Sequence, residues 1–217
     1  MTTVAALYLR TPAPPFSGRA MSLWVSLPKP PSDADRAMDR YAAGDDAAFG
    51  EVYDQVAPRI HAYLARQTRD LARADDILQQ TLLKMHLARG SFLAGAPVMP
   101  WAYAIARRLL VDSIRRGRRE VLSIDGEAVD DAPASGVPGA DDLVAAQELA
   151  TLVRAELARL PEAQRVAFEL VKQEGLSMAE AAAVLGTTVS AVKLRAFRAY
   201  EALRAALGAR IPEGFDS

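Results

Sequence analysis

The chain has no cysteine among its 217 residues, and this absence excludes several kinds of site. A disulfide framework, a thiolate metal site and redox sensing through the chain's own thiols are all excluded. Only two histidines are present, His61 and His86, and the sequence offers them neither a third metal ligand nor a glycine-rich phosphate loop. We therefore expect no catalytic residue, no metal site and no cofactor.

Long apolar runs are absent as well. No stretch approaches the roughly 20 apolar residues that span a bilayer. The short apolar run at positions 4–9 lacks the preceding basic residues and the length of a signal-peptide core. Because 51% of the residues are nonetheless hydrophobic, we expect a globular, cytoplasmic protein that does not insert into a membrane.

Two segments have compositions that oppose regular structure. Residues 1–32 contain six of the thirteen prolines and no acid, and predict a disordered N-terminal extension. Residues 120–140 are rich in glycine, proline and acid, and predict a flexible linker. Residues 33–119 and 141–210 show no strand-like alternation and no internal repeat. The sequence thus predicts an all-α fold of two small helical domains joined by a flexible acidic linker.

The C-terminal domain contains two helices with a tight turn between them. Ser177 and Glu180 have the spacing of a capping box, and Gly186 stands where a helix ends in a left-handed conformation. Thr188 offers an N-cap for the next helix. The expected buried stripe of that helix consists of Val189, Val192, Ala196, Tyr200, Leu203 and Leu207.

Cations lie outside this stripe. Ser190, Lys193, Arg195 and Arg198 are left on the exposed side of the second helix. A helix-turn-helix places such a helix in the major groove of DNA. The alternative is an ordinary helical hairpin with a solvated basic face. We favour the DNA interpretation because the capping box, the glycine turn and the basic first half of the helix agree with one another.

Helical periodicity also describes the N-terminal domain. A short helix is expected at 35–43, followed by a longer stretch that Pro58 should kink or restart. A third helix is expected from about Asp70, with one apolar face and one polar face. The apolar face comprises Leu71, Ala74, Leu78, Leu82 and Met85, and the polar face comprises Asp75, Asp76, Gln79, Gln80 and Leu83. The polar face is either solvated surface, which periodicity alone favours, or a docking surface for a partner.

A loop at 91–100 precedes a further helix that should start at Trp101 and becomes rich in arginine. We expect Trp101 to anchor the core rather than to stack on a base. Six arginines face a single acid, Asp112, between positions 107 and 119. So dense a cluster repels itself unless an anion binds, which favours phosphate contact over simple solvation.

Four blocks, taken in order, resemble the extracytoplasmic-function (ECF) group of bacterial RNA polymerase sigma factors. They are DDILQQTLLKMH, PWAYAIARRLLVDSIRRGRR, LPEAQRVAFEL and GLSMAEAAAVLGTTVSAVKLRAFRAYEALR. Their order and spacing match the family from about position 35 to 207. The resemblance implies a sigma-2-like domain that binds the polymerase clamp and the −10 promoter element. It also implies a sigma-4-like helix-turn-helix domain that binds the −35 element.

The resemblance also implies roles for individual residues. The polymerase-binding residues would be Asp76, Gln79, Gln80 and Leu83. The residues at the melted −10 element would be Ser91, Phe92, Met99, Arg107, Arg108, Asp112, Arg115 and Arg116. The residues at the −35 element would be Thr188, Ser190, Lys193, Leu194, Arg195 and Arg198. The implied partners are promoter DNA, the clamp and flap regions of core polymerase, and an anti-sigma factor.

A helix-turn-helix repressor or response regulator is the competing class. It would need a dimerising segment together with a ligand pocket or a phospho-acceptor strand. The first 120 residues contain neither pattern. The sequence therefore favours an initiation factor over a conventional regulator.

Overall fold

The computed structural model describes residues 30–123 and 141–208. Within these two ranges the chain forms eight α-helices and no strand, which confirms the expected all-α class. The helices are α1 (Asp33–Ala42), α2 (Phe49–Thr68), α3 (Leu71–Ala88), α4 (Val98–Ser123), α5 (Asp141–Arg159), α6 (Glu162–Phe168), α7 (Met178–Leu185) and α8 (Val189–Leu207). None of the helices described has the length and apolar character needed to cross a membrane.

Helix α2 is continuous over 20 residues and contains Pro58. The expected restart at this proline is therefore wrong. Val56, Ala57 and Ile60, which flank Pro58, are all buried in the core. A proline removes one backbone hydrogen bond from a helix, and we attribute the continuity of α2 to the packing of these neighbours.

Helix α3 begins where the sequence predicts, because the Asp70 carboxylate accepts a hydrogen bond from the Arg73 amide at 3.1 Å. Its apolar face is displaced from the predicted one. Leu71 is 66% exposed, whereas Ile77 is buried. The assignment of Leu71 to the core is wrong because this residue occupies the first position of the helix, where its side chain is directed back beyond the packed turns.

Helix α4 begins at Val98 rather than at Trp101, so the expected start was three residues late. Its first amide, that of Val98, donates to the Asp35 carboxylate at 2.7 Å, and the Gly95 amide donates to Asp39 at 2.9 Å. Both acids belong to α1. The loop before α4 is thus fastened by caps from a helix about 60 residues earlier in the chain.

The helix-turn-helix forms as predicted. Ser177 and Glu180 complete a capping box at the start of α7, and Gly186 ends α7 with φ of 59°. The Thr188 hydroxyl accepts from the Ala191 amide at 3.1 Å. Val189 is 37% exposed rather than part of the buried stripe, since it is the first residue of α8. Among the described side chains of α8, Val192, Ala196, Ala199 and Leu203 are buried and Tyr200 is half-buried, whereas the side chain of Leu207 lies outside the described residues.

The helices before and after the expected linker pack against each other. Buried residues of α6, α7 and α8 belong to the same hydrophobic cluster as those of α1 to α4, and α4 lies directly against α7. Helix α4 continues to Ser123, so the first four residues of the expected linker are helical. The rest of that linker, 124–140, and residues 1–29 of the expected N-terminal extension lie outside the described residues.

Candidate nucleic-acid interface

A groove of about 1000 Å³ runs between α3 and α4. It is lined by Gln80, Lys84, Leu87, Ala88, Trp101, Ile105, Arg108, Leu109, Asp112, Arg115 and Arg116. Four of these side chains are cationic and only Asp112 is acidic. The groove therefore combines a cationic rim with aromatic and aliphatic walls, a combination suited to a single strand of nucleic acid.

The four residues predicted to bind polymerase form one exposed strip on α3. Asp76, Gln79, Gln80 and Leu83 are all exposed, and Leu83 is 57% accessible. The opposite side of α3 packs in the core, and its buried residues include Ala74, Ile77 and Thr81. Gln80 also lines the groove, so this strip and the cationic rim are contiguous.

The residues predicted to contact the −10 element lie in several different environments. Arg108, Asp112, Arg115 and Arg116 are exposed and line the groove. Ser91 is exposed, and its hydroxyl donates to the Ala88 carbonyl at 2.8 Å. Phe92 is half-buried with its ring 5.1 Å from that of Trp101. Met99 is only 9% exposed and packs in the core.

Trp101 lies between the core and the groove. The residue is half-buried and packs against the main hydrophobic cluster, which fits a core anchor. It also lines the groove.

Arg107 has different surroundings from Arg108, Arg115 and Arg116, which line the groove. Its side chain is 20% exposed, and Nη2 lies 4.0 Å from Oε1 of Glu162 on α6. Its Nη1 atom and the Tyr63 hydroxyl are both buried. Burial raises the pKa of Tyr63, and the nearby Arg107 guanidinium opposes that rise through its charge and a side-chain hydrogen bond. Arg107 is therefore part of the contact between α4 and α6 rather than of the groove.

The second helix of the helix-turn-helix presents most of its predicted DNA-facing residues. Ser190, Leu194 and Arg198 are exposed, and Lys193 and Arg195 are half-buried. Thr188 is exposed, but its hydroxyl already caps α8. Val189, Leu194 and Phe197 add apolar surface to the same half of the helix, each about 40% exposed. Cationic and apolar groups together can contact phosphates and thymine methyl groups.

A buried polar cluster joins α2 and α4 to the segment between α6 and α7. The carboxylate of Glu174, which is 7% exposed, accepts hydrogen bonds from the Tyr103 hydroxyl and the Arg66 guanidinium. The Glu174 carbonyl accepts from Nη2 of Arg59 at 2.7 Å. We call Glu174 and these three partners the Glu174 cluster. Burial and the carboxylate of Glu174 raise the pKa of Tyr103, so this phenol stays protonated and donates.

Glu169 forms a second contact beside this cluster. It is 5% exposed and accepts a hydrogen bond from Gln67 of α2. Burial raises the pKa of Glu169, while Gln67 and the charges of Arg165 and Arg66 oppose the rise and the carboxylate of Glu174 adds to it. Neither buried acid could be identified from the sequence, because the residues that hold them to the other domain, Tyr103, Arg66 and Gln67, are at least 71 positions distant along the chain.

Both histidines are engaged with neighbouring side chains. His61 lies 3.0 Å from Asp75, and His86 contacts the Tyr41 hydroxyl. Over residues 30–123 and 141–208, no three potential metal-ligating side chains come together.

Sequence reasoning did not single out Lys84, Leu87 or Ile105, which also line the groove. A signal for two of them existed. Lys84 and Leu87 follow Gln80 by four and seven positions, and residues so spaced share one side of a helix.

Comparison with known proteins agrees with this geometry. Residues 52–120 match the family model for sigma-70 region 2, and residues 150–203 match that for sigma-70 region 4. The chain is 34% identical to the RNA polymerase sigma factor CarQ of Myxococcus xanthus, over 79% of this chain and 95% of CarQ. It is also 34% identical to the ECF RNA polymerase sigma factor SigF of Caulobacter vibrioides, over 74% of this chain and 86% of SigF.

A solved structure has a similar fold. It contains the sigma factor RpoE of Bartonella quintana in complex with the anti-sigma factor NepR. The TM-score is 0.63 at 27% identity, over 74% of this chain and 97% of RpoE. Two sigma regions in the correct order, a complete helix-turn-helix and relatives matched over most of their length lead to one conclusion: the chain belongs to the ECF sigma factors, which direct RNA polymerase to promoters and start transcription there.

Proposed function

We propose that three separate surfaces divide the work of initiation in this sigma factor. The strip Asp76, Gln79, Gln80 and Leu83 binds the polymerase clamp. The groove between α3 and α4 holds the melted −10 strand, and the first half of α8 reads the −35 duplex. The observation that carries this proposal is the groove itself, in which Arg108, Arg115 and Arg116 surround an aromatic wall next to the clamp-binding strip.

Within the proposed −10 surface, the groove residues do the binding. Extruding a base costs a few kcal/mol, which a pocket and a cationic rim can offset without an ATP site. Phe92 and Trp101 provide the nearest aromatic surface, whereas the buried Met99 supports the loop from beneath. Arg107 reaches this DNA only after it leaves Glu162.

Charge reversal at Asp76 tests the polymerase surface. Asp76→Lys places a cation at the N-terminal end of the exposed strip and should weaken binding to core enzyme at least tenfold, the effect of roughly 1.4 kcal/mol. Binding of the full chain to a −35 duplex should not change. Asp54→Lys, at another exposed acid on α2, is the matched control. Equal losses in both variants, or loss of duplex binding in Asp76→Lys, would contradict this assignment.

Removal of one cation tests the −35 surface. Lys193→Ala should weaken binding to a −35 duplex and lower the slope of log affinity against log salt by about one, as expected for one lost phosphate contact. Arg204→Ala, an exposed cation in the last turn of α8, is the matched control. An unchanged salt slope in Lys193→Ala would remove this residue from the interface.

We further propose that the protein is non-enzymatic, acts in the cytoplasm and is regulated by an anti-sigma factor. The contacts of His61 with Asp75 and of His86 with Tyr41 support a non-enzymatic role. The solved RpoE structure, which contains an anti-sigma factor, supports the last. Addition of a cognate anti-sigma factor should block binding to core enzyme in a pull-down experiment.

A further inference from the structure

We propose that Asp35 and Asp39 of α1 are positioning residues for the −10 element, because they hold the loop before α4 in the conformation that reads a melted base. The inference rests on the proposed −10 surface and names residues outside that surface on which its base preference depends. Neither acid is among the residues predicted to contact DNA. Helix α1 also precedes residues 52–120, the part of the chain that matches the family model for sigma-70 region 2.

The segment between Ser91 and α4, residues 92–97, has little apolar packing of its own, and we call it the α4 loop. Leu93 is 70% exposed, and residues 94, 95 and 97 are exposed as well. Phe92 packs against the hydrophobic core. A segment with so few buried contacts is not held in one conformation by packing alone. Its shape therefore depends on hydrogen bonds to its backbone.

Two carboxylates of α1 accept hydrogen bonds from this part of the backbone. Oδ1 of Asp39 accepts from the Gly95 amide at 2.9 Å, and Oδ1 of Asp35 accepts from the Val98 amide at 2.7 Å, where α4 begins. Both acids are half-buried. They are four positions apart and so lie on one side of α1. Because hydrogen bonds to a charged acceptor are roughly twice as strong as neutral ones, these two contacts can fix the loop.

The middle of the α4 loop turns sharply at Gly95. The Ala96 amide donates to the Leu93 carbonyl at 3.0 Å, which closes the turn, and Gly95 has φ of 77°. This value lies in the left-handed region that favours glycine. Gly95 also donates its amide to Asp39, so the turn and the carboxylate together fix the same point of the loop.

The start of the loop is held by the same part of the chain. The Phe92 amide donates to the Arg89 carbonyl at 3.1 Å. Nη2 of Arg89 lies 3.3 Å from Oδ1 of Asp46, shortly after α1, and its guanidinium carbon lies 5.2 Å from the centroid of the Tyr41 ring. Residues 35–46 therefore contact the chain at both ends of the α4 loop and at its middle.

The conformation of the α4 loop affects the proposed DNA groove through Phe92 and Trp101. Their ring centroids are 5.1 Å apart, and Trp101 lines the groove. Phe92 is only three positions from Gly95, so a displaced turn shifts this aromatic surface relative to Arg108 on the cationic rim. Recognition requires that the contacting groups stay within roughly 0.5 Å of their productive positions. The two carboxylates therefore influence which base the groove accepts without contacting DNA themselves.

Base preference in transcription tests this role. The full chain is combined with core polymerase and promoters randomised in the −10 and −35 elements, and sequencing of the transcripts gives the preference at each position. Asp39→Ala removes the acceptor of the Gly95 amide. It should lower the ratio of best to worst base about fivefold or more at one or two −10 positions and leave the −35 preferences unchanged. A purely structural defect would instead reduce transcription from all promoters and leave these ratios unchanged.

Three variants serve as matched comparisons. Asp39→Asn keeps an oxygen that accepts from the Gly95 amide and should retain most of the wild-type preference. Asp33→Ala, at an exposed acid of α1 that pairs with Arg36, should change the preference at neither element. Gly95→Ala strains the turn through its φ of 77°, while the added methyl group meets no atom within 4 Å. It should affect the same −10 positions as Asp39→Ala.

Wild-type −10 preference in Asp39→Ala would overturn the proposal. If circular dichroism shows that Asp39→Ala has lost helix, Gly95→Ala takes its place, and wild-type preference in that variant would overturn the proposal equally. Phe92→Ala separates this failure from failure of the −10 surface. If Phe92→Ala loses −10 preference and Asp39→Ala keeps it, the surface stands and the positioning role fails alone. If the wild-type protein shows no base preference at the −10 element, the proposed surface fails and the positioning role fails with it.

Discussion

Removal of the Tyr103 hydroxyl tests how much free energy the contact between the two domains contains. Tyr103 is buried and donates to the Glu174 carboxylate, which is itself buried. A hydrogen bond to a charged group contributes about 1.5–3 kcal/mol to stability. Tyr103→Phe leaves the ring and its edge-to-face contact with Tyr63, at 5.4 Å between centroids, in place. We therefore expect a loss of about 2 kcal/mol, roughly a 30-fold shift in the unfolding equilibrium.

Urea denaturation checks this value, because it gives the change in the free energy of unfolding. Tyr53→Phe is the matched control, because Tyr53 lies on α2 with 47% of its surface exposed and should change stability by no more than about 0.5 kcal/mol. Equal effects of Tyr103→Phe and Tyr53→Phe would refute the reasoning, since the buried hydroxyl would then contribute nothing.

The other predictions concern pH and the helix-turn-helix. Because burial raises the pKa of Glu169, its contribution to stability is present below the ordinary carboxyl pKa and is lost as pH rises through the raised value. The glutamine of the Glu169→Gln variant does not titrate, so the stability of this variant relative to wild type, measured by urea denaturation, should increase from pH 4 to pH 7. A constant or decreasing difference would contradict the prediction. Gly186→Ala should destabilise the fold by about 1–2 kcal/mol, since φ is 59° and the added methyl group meets no atom within 4 Å, which leaves backbone strain as the cause; unchanged stability in urea would contradict this. Ser177→Ala should lower stability by about 1 kcal/mol, because it removes the cap of α7. A midpoint of thermal unfolding equal to that of wild type would contradict this prediction.

Features encoded by a few neighbouring residues could be predicted from the sequence. The capping box of Ser177 and Glu180, the left-handed Gly186 and the Asp70 cap each depend on residues within one or two turns. The same holds for the exposed strip around Asp76, because helical periodicity alone separates it from the buried side of α3.

Errors in the predicted core arose at the first turns of helices. Leu71 and Val189 fit the periodic apolar pattern but are the first residues of α3 and α8, and both are exposed. Periodicity gives the angle of a side chain around a helix and says nothing about where the packing partner ends. Likewise, the start of α4 depends on Asp35, a residue about 60 positions earlier that no local pattern connects to Val98.

The contact between the domains could not be predicted, for a related reason. Composition predicts two domains and a linker between them, but it does not indicate which polar groups of one domain contact the other domain. Glu174 and Tyr103 each look ordinary in sequence, and only the folded chain brings them together. The burial of Arg107, which distinguishes it from Arg108 one position later, follows from the same contact.

The most direct test of the account is a transcription assay with purified core polymerase on a library of promoters, with and without this protein. The account predicts that the protein confers initiation at a defined set of start sites, that Asp76→Lys and Lys193→Ala each reduce this initiation, and that Asp54→Lys and Arg204→Ala do not. Core polymerase that initiates identically with and without the protein would contradict the account.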